Sequence, residues 1–481
     1  MFNSNPDLKK ATILHVISCS IMLVAIVFGV AICTALAMGY RFDILSGKIS
    51  QVALLQFNSL PKQATVTIDG NKLSANTPVR ANVPAGVHRI TLQRNGYRPW
   101  NKTISLPPRT VAWLDYIRLV PNSIPTESAL LLANTASLLG SPDHKWLAAE
   151  PNAATHTLQL IDTAEPLKLR TLNIDLASST LSQAFNAATE QFHLVEWDSS
   201  SRFLLLEHAF DNHIEYLLVD CRDKAHLKTI NISKLHSTEW RDVRFNGGNG
   251  ESFYAIKDGN LYNVDLHSGI IGDRIAENVS SYAVYGNNLI SVVHNAAQNP
   301  SDQVVSIYYG SKLKSIKHFN DNQPVYSAIA NYNQRSYLFL AHQKTLQIIA
   351  NPLDSDNPAD NPSTTRLIES DEPLAWLQLS PNGRMVYAGY RNHLIIYDTE
   401  TKREYQFNRN SSNTPINFLD DCHIFDQSNQ SIDILDFDGT NRQSIVSGRL
   451  PAALSSDNKY IFSLDHSNNT TMLQRSKIVT D

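Results

Sequence analysis

At 481 residues, 42% apolar and with a net charge of -4, the chain is too long for one ordinary core and too apolar to be disordered, so at least two folded domains are expected. The balance of 41 basic and 45 acidic residues, with no basic tract, excludes nucleic-acid recognition by bulk charge. Four cysteines show no metal-site or disulfide-framework spacing. Cys19 and Cys33 lie in an apolar N-terminal run. Cys221 and Cys422 stand alone; a bond between them is open, and two buried free thiols are the expected state.

Residues 1–10 read as a short tail. From residue 11 to residue 40 there is no Asp, Glu, Lys or Arg, and the run exceeds the about 20 residues that cross a bilayer as a helix. A transmembrane helix over 11–40 is therefore expected. Ala35-Leu36-Ala37 resembles a signal-peptidase site, yet the apolar region before it is longer than the roughly 7–15 residues of a cleavable signal. Val16-Ile17-Ser18-Cys19 faintly resembles a lipobox, but the apolar continuation from Ile21 argues against it. Lys9 and Lys10 precede the span and Arg41 and Lys48 follow it, so the positive-inside contrast is small.

Residues 41–120 read as a small β-module. Val66 and Ile68 alternate with Thr65 and Thr67 before Asp69-Gly70, a strong two-residue hairpin signal, since Gly tolerates the positive φ such turns need. Ile90 and Leu92 alternate in the same way before Asn95-Gly96. Further strand-like runs cover 103–106 and 111–119. Asp69, Gly70, Gly86 and Gly96 are expected to shape turns, and Tyr97 and Trp100 to cap a small core. Val66-Thr67-Ile68-Asp69-Gly70, Thr77-Pro78, Pro84-Ala85-Gly86-Val87-His88-Arg89-Ile90 and Gly96-Tyr97 together resemble a PEGA domain. Pro-Ala-Gly-Val stands where the family's namesake tetrapeptide would be. The resemblance implies a non-catalytic part of a surface or envelope protein. With the anchor before it, it implies an N-terminus inside and the bulk outside.

Pro121-Asn122-Ser123-Ile124-Pro125 opens a stiff linker, 121–126, and residues 127–481 read as a repeat. Strand patterns with turn signals recur every roughly 35–55 residues, a propeller-like period. Clear copies begin at Gly140-Ser141-Pro142-Asp143, Leu379-Ser380-Pro381-Asn382-Gly383 and Leu454-Ser455-Ser456-Asp457. Weaker ones begin near Trp197, Phe245, Tyr285, Ile329 and Phe418. The Ser-Pro-Asp/Asn-Gly pattern and the turn Asp436-Phe437-Asp438-Gly439-Thr440-Asn441 resemble the TolB-like and WD40-like propeller class. The paired His and Trp-Asp signature of true WD40 repeats is missing. The expected fold class is all-β: an N-terminal transmembrane helix, a PEGA-like β-sandwich module, then a β-propeller of seven or eight blades. The last unit is one strand short, and residues 129–133 are the natural strand to complete it.

The search for chemistry finds no Gly-x-Ser-x-Gly, His-Glu-x-x-His, phosphate loop or Gly-x-Gly-x-x-Gly. Asp436, Asp438 and Asn441 echo part of a calcium loop without its distal Glu, and an ordinary hairpin turn is favoured. The pairs Asp420-Asp421 and Asp371-Glu372 suit acid/base work only if they face a pocket; solvated loops are the plainer reading. Residues 351–365, a Pro/Asp/Asn-rich loop, read either as a flexible insertion or as a cover for one mouth of the propeller. No catalytic, cofactor or metal residues are assigned, and binding residues stay unassigned. The expected function is non-catalytic binding or scaffolding at the cell envelope, with a protein or polysaccharide partner, the membrane as anchor and no nucleic acid. The alternatives are a propeller enzyme acting on extracellular glycans and a TolB-like envelope assembly factor. Carboxylates or His lining the channel favour an enzyme; an apolar or aromatic rim patch favours a binding module.

Overall fold

The computed structural model describes residues 6–37, 40–43, 48–133, 135–152, 155–176, 180–182, 189–236, 239–247, 249–266, 268–286, 289–296, 299–354, 364–409, 414–428, 430–467 and 470–479. Helix α1 runs Pro6–Ala37, so it begins ahead of the uncharged run and stops short of residue 40, where a strand has already started. Its segment His15–Ala37, 23 residues of mean hydropathy 2.8, measures about 35 Å and spans a hydrocarbon core of roughly 30 Å. The rest of the chain buries none of it. Length and composition of this kind belong to membrane anchors and to long signal sequences alike.

The chain divides into two compact units, residues 1–122 and 123–481. In the first, β1 (Tyr40–Asp43), β2 (Lys48–Leu60), β3 (Thr65–Ile68), β4 (Asn71–Asn76), β5 (Val79–Pro84), β6 (Gly86–Gln93), β7 (Trp100–Leu106) and β8 (Val111–Arg118) follow the helix. They form two sheets, β4-β3-β6-β7 and β1-β2-β5, with β8 pairing parallel to β2. Period-two alternation decides what is inside: Val66, Ile68, Ile90 and Leu92 meet Leu55, Phe57, Leu114 and Ile117 of the other sheet in one core. Tyr97 and Trp100 are buried in it, 7% and 1% exposed.

The Asp69-Gly70 turn has φ of 50° and 84° and pairs Ile68 with Asn71, the geometry of a two-residue hairpin. Contacts from His88 Nδ1 (2.6 Å) and the Arg89 amide (2.8 Å) hold the Asp69 carboxyl below its usual range. Gly70→Val is expected to cost about 1–2 kcal/mol, because a left-handed backbone crowds Cβ. Calorimetry of the full chain checks this: the transition of the first unit should fall while that of the second stays. Equal displacement of both would show that the units do not melt separately.

Among the described residues, the second unit holds eight four-stranded antiparallel sheets. In chain order they cover 138–175, 191–231, 241–276, 279–319, 325–369, 376–408, 417–447 and 449–477, the last completed by β9 (Thr126–Leu132). First strands touch first strands at six of the eight junctions, Leu138–Gly140 against Arg449–Leu454 among them, and side chains bridge the other two, Glu196 to the Phe245 amide and Gln378 to the Ile416 amide. The sheets therefore close a ring with their first strands innermost, a β-propeller. Burial follows from this: Met385–Gly389 is wholly buried, while the outermost strand of the same sheet, Arg403–Asn408, alternates with solvent.

The turns after the first strands explain the repeat. Ser141 Oγ donates to Asp143 Oδ1 (2.7 Å), which accepts from the Lys145 amide (3.1 Å), and Ser141 Oγ accepts from the Trp146 amide (3.0 Å). The same three bonds recur through Ser380 and Asn382 and through Ser455 and Asp457. A small hydroxyl and an Asp or Asn two residues on are what this self-capped turn requires. β9 lies against the final strand, Thr126 opposite Ser476 and Leu131 opposite Met472. It starts three residues before the expected 129–133, because Thr126 and Glu127, polar and outside the apolar run, join the ladder. Of the loop 351–365, residues 355–363 lie outside the described residues; the strands on either side, Thr345–Ala350 and Arg366–Glu369, pair with each other.

Candidate functional site

An inner strand has one unpaired edge, and in this ring side chains from neighbouring sheets satisfy it. Glu196 Oε1 accepts from the Phe245 amide (2.6 Å), Gln378 Oε1 from Ile416 (2.8 Å) and Asn417 Oδ1 from Ala452 (2.9 Å). Tyr285 Oη donates to the Asn331 carbonyl (3.0 Å) and the Asn382 carbonyl (3.2 Å), joining three sheets.

Charge concentrates where the second, third and fourth sheets meet. A bulge at Val195 offsets the strand Gln191–Trp197, so Glu196 pairs with Leu205 and shares a face with His193, opposite Glu207. Across the seam, the strand Arg241–Asn246 presents Asp242 and Arg244, Arg244 Nε 3.1 Å from Asp242 Oδ1, with 35% and 43% of their side chains exposed. Burial raises the Glu196 carboxyl, a rise that Arg244 and the Phe245 amide reduce but do not cancel. Burial disfavours the Arg244 cation, yet Asp242 and Glu196 hold its affinity for a proton above the ordinary value. Burial also raises the Glu150 carboxyl, against the pull of His193. Tyr216 Oη donates to Glu207 (2.9 Å), and the Tyr282 hydroxyl donates to the Tyr254 and Asp242 carbonyls. A protonatable carboxyl beside a fixed guanidinium can bind a polar ligand or exchange a proton with one.

A second polar cluster lies between the first and second sheets and is closed to solvent. His208 Nε2 is 2.7 Å from Glu190 Oε1 and its Nδ1 is 2.9 Å from Glu215 Oε1, with side chains 1–3% exposed. His156 Nε2 is 2.8 Å from Glu190 Oε2, and Asn231 Nδ2 donates to Glu215 Oε2 (2.7 Å). The His208 ring stacks between Phe192 and Phe210, centroids 4.5 and 4.8 Å away. Both ring nitrogens of His208 thus face carboxylate oxygens. Burial by itself raises the Glu215 carboxyl, but hydrogen bonds from His208, Ser182 and Asn231 outweigh it and hold the group below its usual range.

The residues singled out in sequence fall elsewhere. Asp420 is no freely solvated carboxylate: it accepts from the Cys422 amide (2.9 Å) and the His423 amide (2.8 Å) and lies 2.8 Å from His423 Nδ1. Burial, then the charge of Asp420, raises its neighbour Asp421. Asp371 lines a groove of about 200 Å³ with Glu369, Ser370 and His393, and Glu372 accepts from Asn392 Nδ2 (3.3 Å). Asp436, Asp438 and Asn441 close their own turn: Asn441 Nδ2 donates to Asp436 (3.0 Å), and Gly439 takes φ of 78°. Among the described residues no three His, Cys, Asp or Glu side chains converge as metal ligands would. Cys221 and Cys422 are both free thiols. Cys221 is buried, its thiol pushed up to about 12 by burial, whereas Cys422 is only half-buried.

The charged seam and the buried cluster were not singled out in sequence. His208 and Glu215 were within reach, since both stand three residues from Asp211-Asn212, the turn of the hairpin that pairs them. Glu196 was not, because the bulge that re-aims it leaves no mark in the residue pattern.

Residues 53–121 match the family model of the PEGA domain, and no curated protein matches the chain. Among solved structures, an oligogalacturonate lyase in complex with manganese is similar at 10% identity and TM-score 0.41, over 73% of this chain and 98% of that one. The β-propeller domain of Swd1 from Myceliophteria thermophila is similar at 10% identity and TM-score 0.39, over 73% and 99%. An oligogalacturonate lyase from Vibrio parahaemolyticus is similar at 9% and TM-score 0.40, over 74% and 97%. Likeness at this level carries no argument about activity, and the propeller rests on the order of its sheets.

Proposed function

We propose that this is a single-pass, membrane-anchored protein of the cell envelope, N-terminus cytoplasmic, whose propeller and PEGA-matching module hold a protein or polysaccharide partner without catalysis. The supporting observation is the order of parts: an apolar helix long enough to span, then a segment matching the PEGA domain, then a closed ring of sheets. A closed ring of sheets leaves only short outer edges and offers rigid loop faces for binding. External protease on intact cells should remove the second unit and leave a membrane-bound stub; protection until lysis would reverse the orientation. Full-length protein extracted in mild detergent should retain one envelope component through repeated washing.

One observation favours a second reading, an enzyme acting on extracellular glycans. Glu196, Asp242 and Arg244 bring a carboxyl with raised proton affinity and a fixed cation to the inner strands, partly open to solvent. Under the binding reading, Glu196→Gln and Arg244→Met weaken partner retention and no glycan is turned over. Turnover by the wild-type protein that either substitution abolishes would replace scaffolding by catalysis.

A further inference from the structure

The register of the first unit gives its sandwich two ends. At one end lie Val52, where β2 begins to pair with β5, the close of β5 at Pro84, Val87 near the opening of β6 and the opening of β8 at Val111, since Val52 pairs with Pro84, Leu54 with Val111 and Val87 with Ser105. The opposite end carries Leu60, Tyr97 and the exit at Asn122. The first end is unusually apolar for a surface: Val87 is 68% exposed, Val111 50% and Trp113 55%. Val111 and Trp113 are alternate residues of β8, so they share a face, with Leu54 opposite Val111 and Gln56 opposite Trp113. Trp113 is exceptional in the whole chain: the other tryptophans, Trp100, Trp146, Trp197, Trp240 and Trp376, are all 8% exposed or less.

Chain continuity says what this end meets. β1 pairs with β2 so that Tyr40 is opposite Gln51, and Tyr40 is three residues beyond the end of α1. Even at full extension, a reach of three residues and one strand spacing keeps Gln51 within about 15 Å of the helix end. Val52 is the next residue. The apolar end of the sandwich is thus the one tethered at the mouth of the span, and Arg80, Arg89 and Arg109 stand exposed around it.

We propose that this end of the sandwich lies on the bilayer from which the anchor emerges, with Val87 and Val111 entering the interface and Trp113 at headgroup level. The inference rests on the anchor reading. A Trp ring is suited to this depth, apolar in its body and able to donate its indole N–H to headgroups, and arginines at the rim favour anionic lipid. A surface of this kind left in water would be an aggregation liability; on lipid it holds the module against the membrane.

The test uses the full chain in phosphatidylcholine vesicles containing phosphatidylglycerol, with and without phosphatidylcholine brominated near the headgroup. Bromolipid should quench an emission component that is present in the wild-type protein and absent in Trp113→Phe. The same component should be open to acrylamide in detergent and shielded from it in vesicles. Val87→Asp with Val111→Asp, both at exposed sites that the fold does not need, should lower that quenching several-fold while the protein stays in the vesicle fraction after alkaline carbonate. Trp113 as open to acrylamide in vesicles as in detergent, with no bromolipid quenching and the protein still carbonate-resistant, would overturn the inference and leave the anchor standing. Release by carbonate would overturn the anchor reading, and this inference with it.

Discussion

A chain that begins at residue 134 is expected to lose the cooperative unfolding transition of the propeller that a chain beginning at residue 123 retains. β9 contributes one full ladder to the last sheet, and Leu132, 4% exposed, packs with Leu473, Phe462 and Leu147 of the last and first sheets. Removing a buried Leu side chain costs about 2–5 kcal/mol, and each ladder hydrogen bond lost adds about 0.5–1.5 kcal/mol. The strand also carries Glu127, ion-paired to Arg475 at 2.5 Å, and Thr126, whose Oγ1 is 2.9 Å from Ser476 Oγ. Against a total stability of about 5–15 kcal/mol, the sum is enough to open the ring. The bare edge of the strand Thr470–Lys477 then becomes a template for other chains. Leu132→Asp in the full-length protein tests the same closure without truncation and should lower the propeller transition sharply. Leu131→Ala, at a residue 66% exposed, should change stability by no more than about 0.5 kcal/mol. Equal melting of the two truncated chains would show that the ring closes elsewhere.

The ring was legible because its turns are made of local chemistry. Ser141, Ser380 and Ser455 cap their own turns with the residue two positions on, so the pattern survives whatever the neighbouring sheet does. The weaker starts expected near Trp197, Phe245, Tyr285, Ile329 and Phe418 each fall on the first strand of a successive sheet. Those strands are read by their apolar residues, which must face the next sheet. The two-residue turn at Asp69-Gly70 was legible for the same local reason. What the residues concealed is long-range. Glu190 meets His208 across 18 positions and His156 across 34, distances at which no pattern in one sequence announces a partner. Asp420 looked like half of a solvated pair, yet its oxygens are committed to the amides of the next turn. The extent of β9 was misjudged at Thr126 and Glu127, because the ladder there is held by backbone and ion pairing and not by apolar alternation.

Glu190→Ala is expected to be strongly damaging in the polar interior of the propeller. Its carboxylate faces His208 on one oxygen and His156 on the other, and its side chain is 1% exposed. Removing one partner of a buried ion pair typically costs about 3–5 kcal/mol, because the remaining charge is left uncompensated, whereas replacing the whole array by apolar groups can be close to neutral. Glu190→Ala should therefore lower the propeller transition strongly, and combining it with His208→Leu and Glu215→Gln should recover much of the loss. The pH dependence has a defined sign. The Glu215 carboxyl is depressed in the folded chain, so its contribution is complete above the ordinary Glu range, near about 4.3, and is lost as pH falls through the lower folded value. The advantage of the wild-type protein over the triple variant should accordingly shrink as the solution is acidified below about pH 4. Equilibrium urea unfolding of the three proteins at neutral and acid pH measures each of these differences. Glu190→Ala unfolding at the wild-type midpoint would mean that water or a rearranged loop replaces the carboxylate, and that this array does not clamp the second sheet to the first.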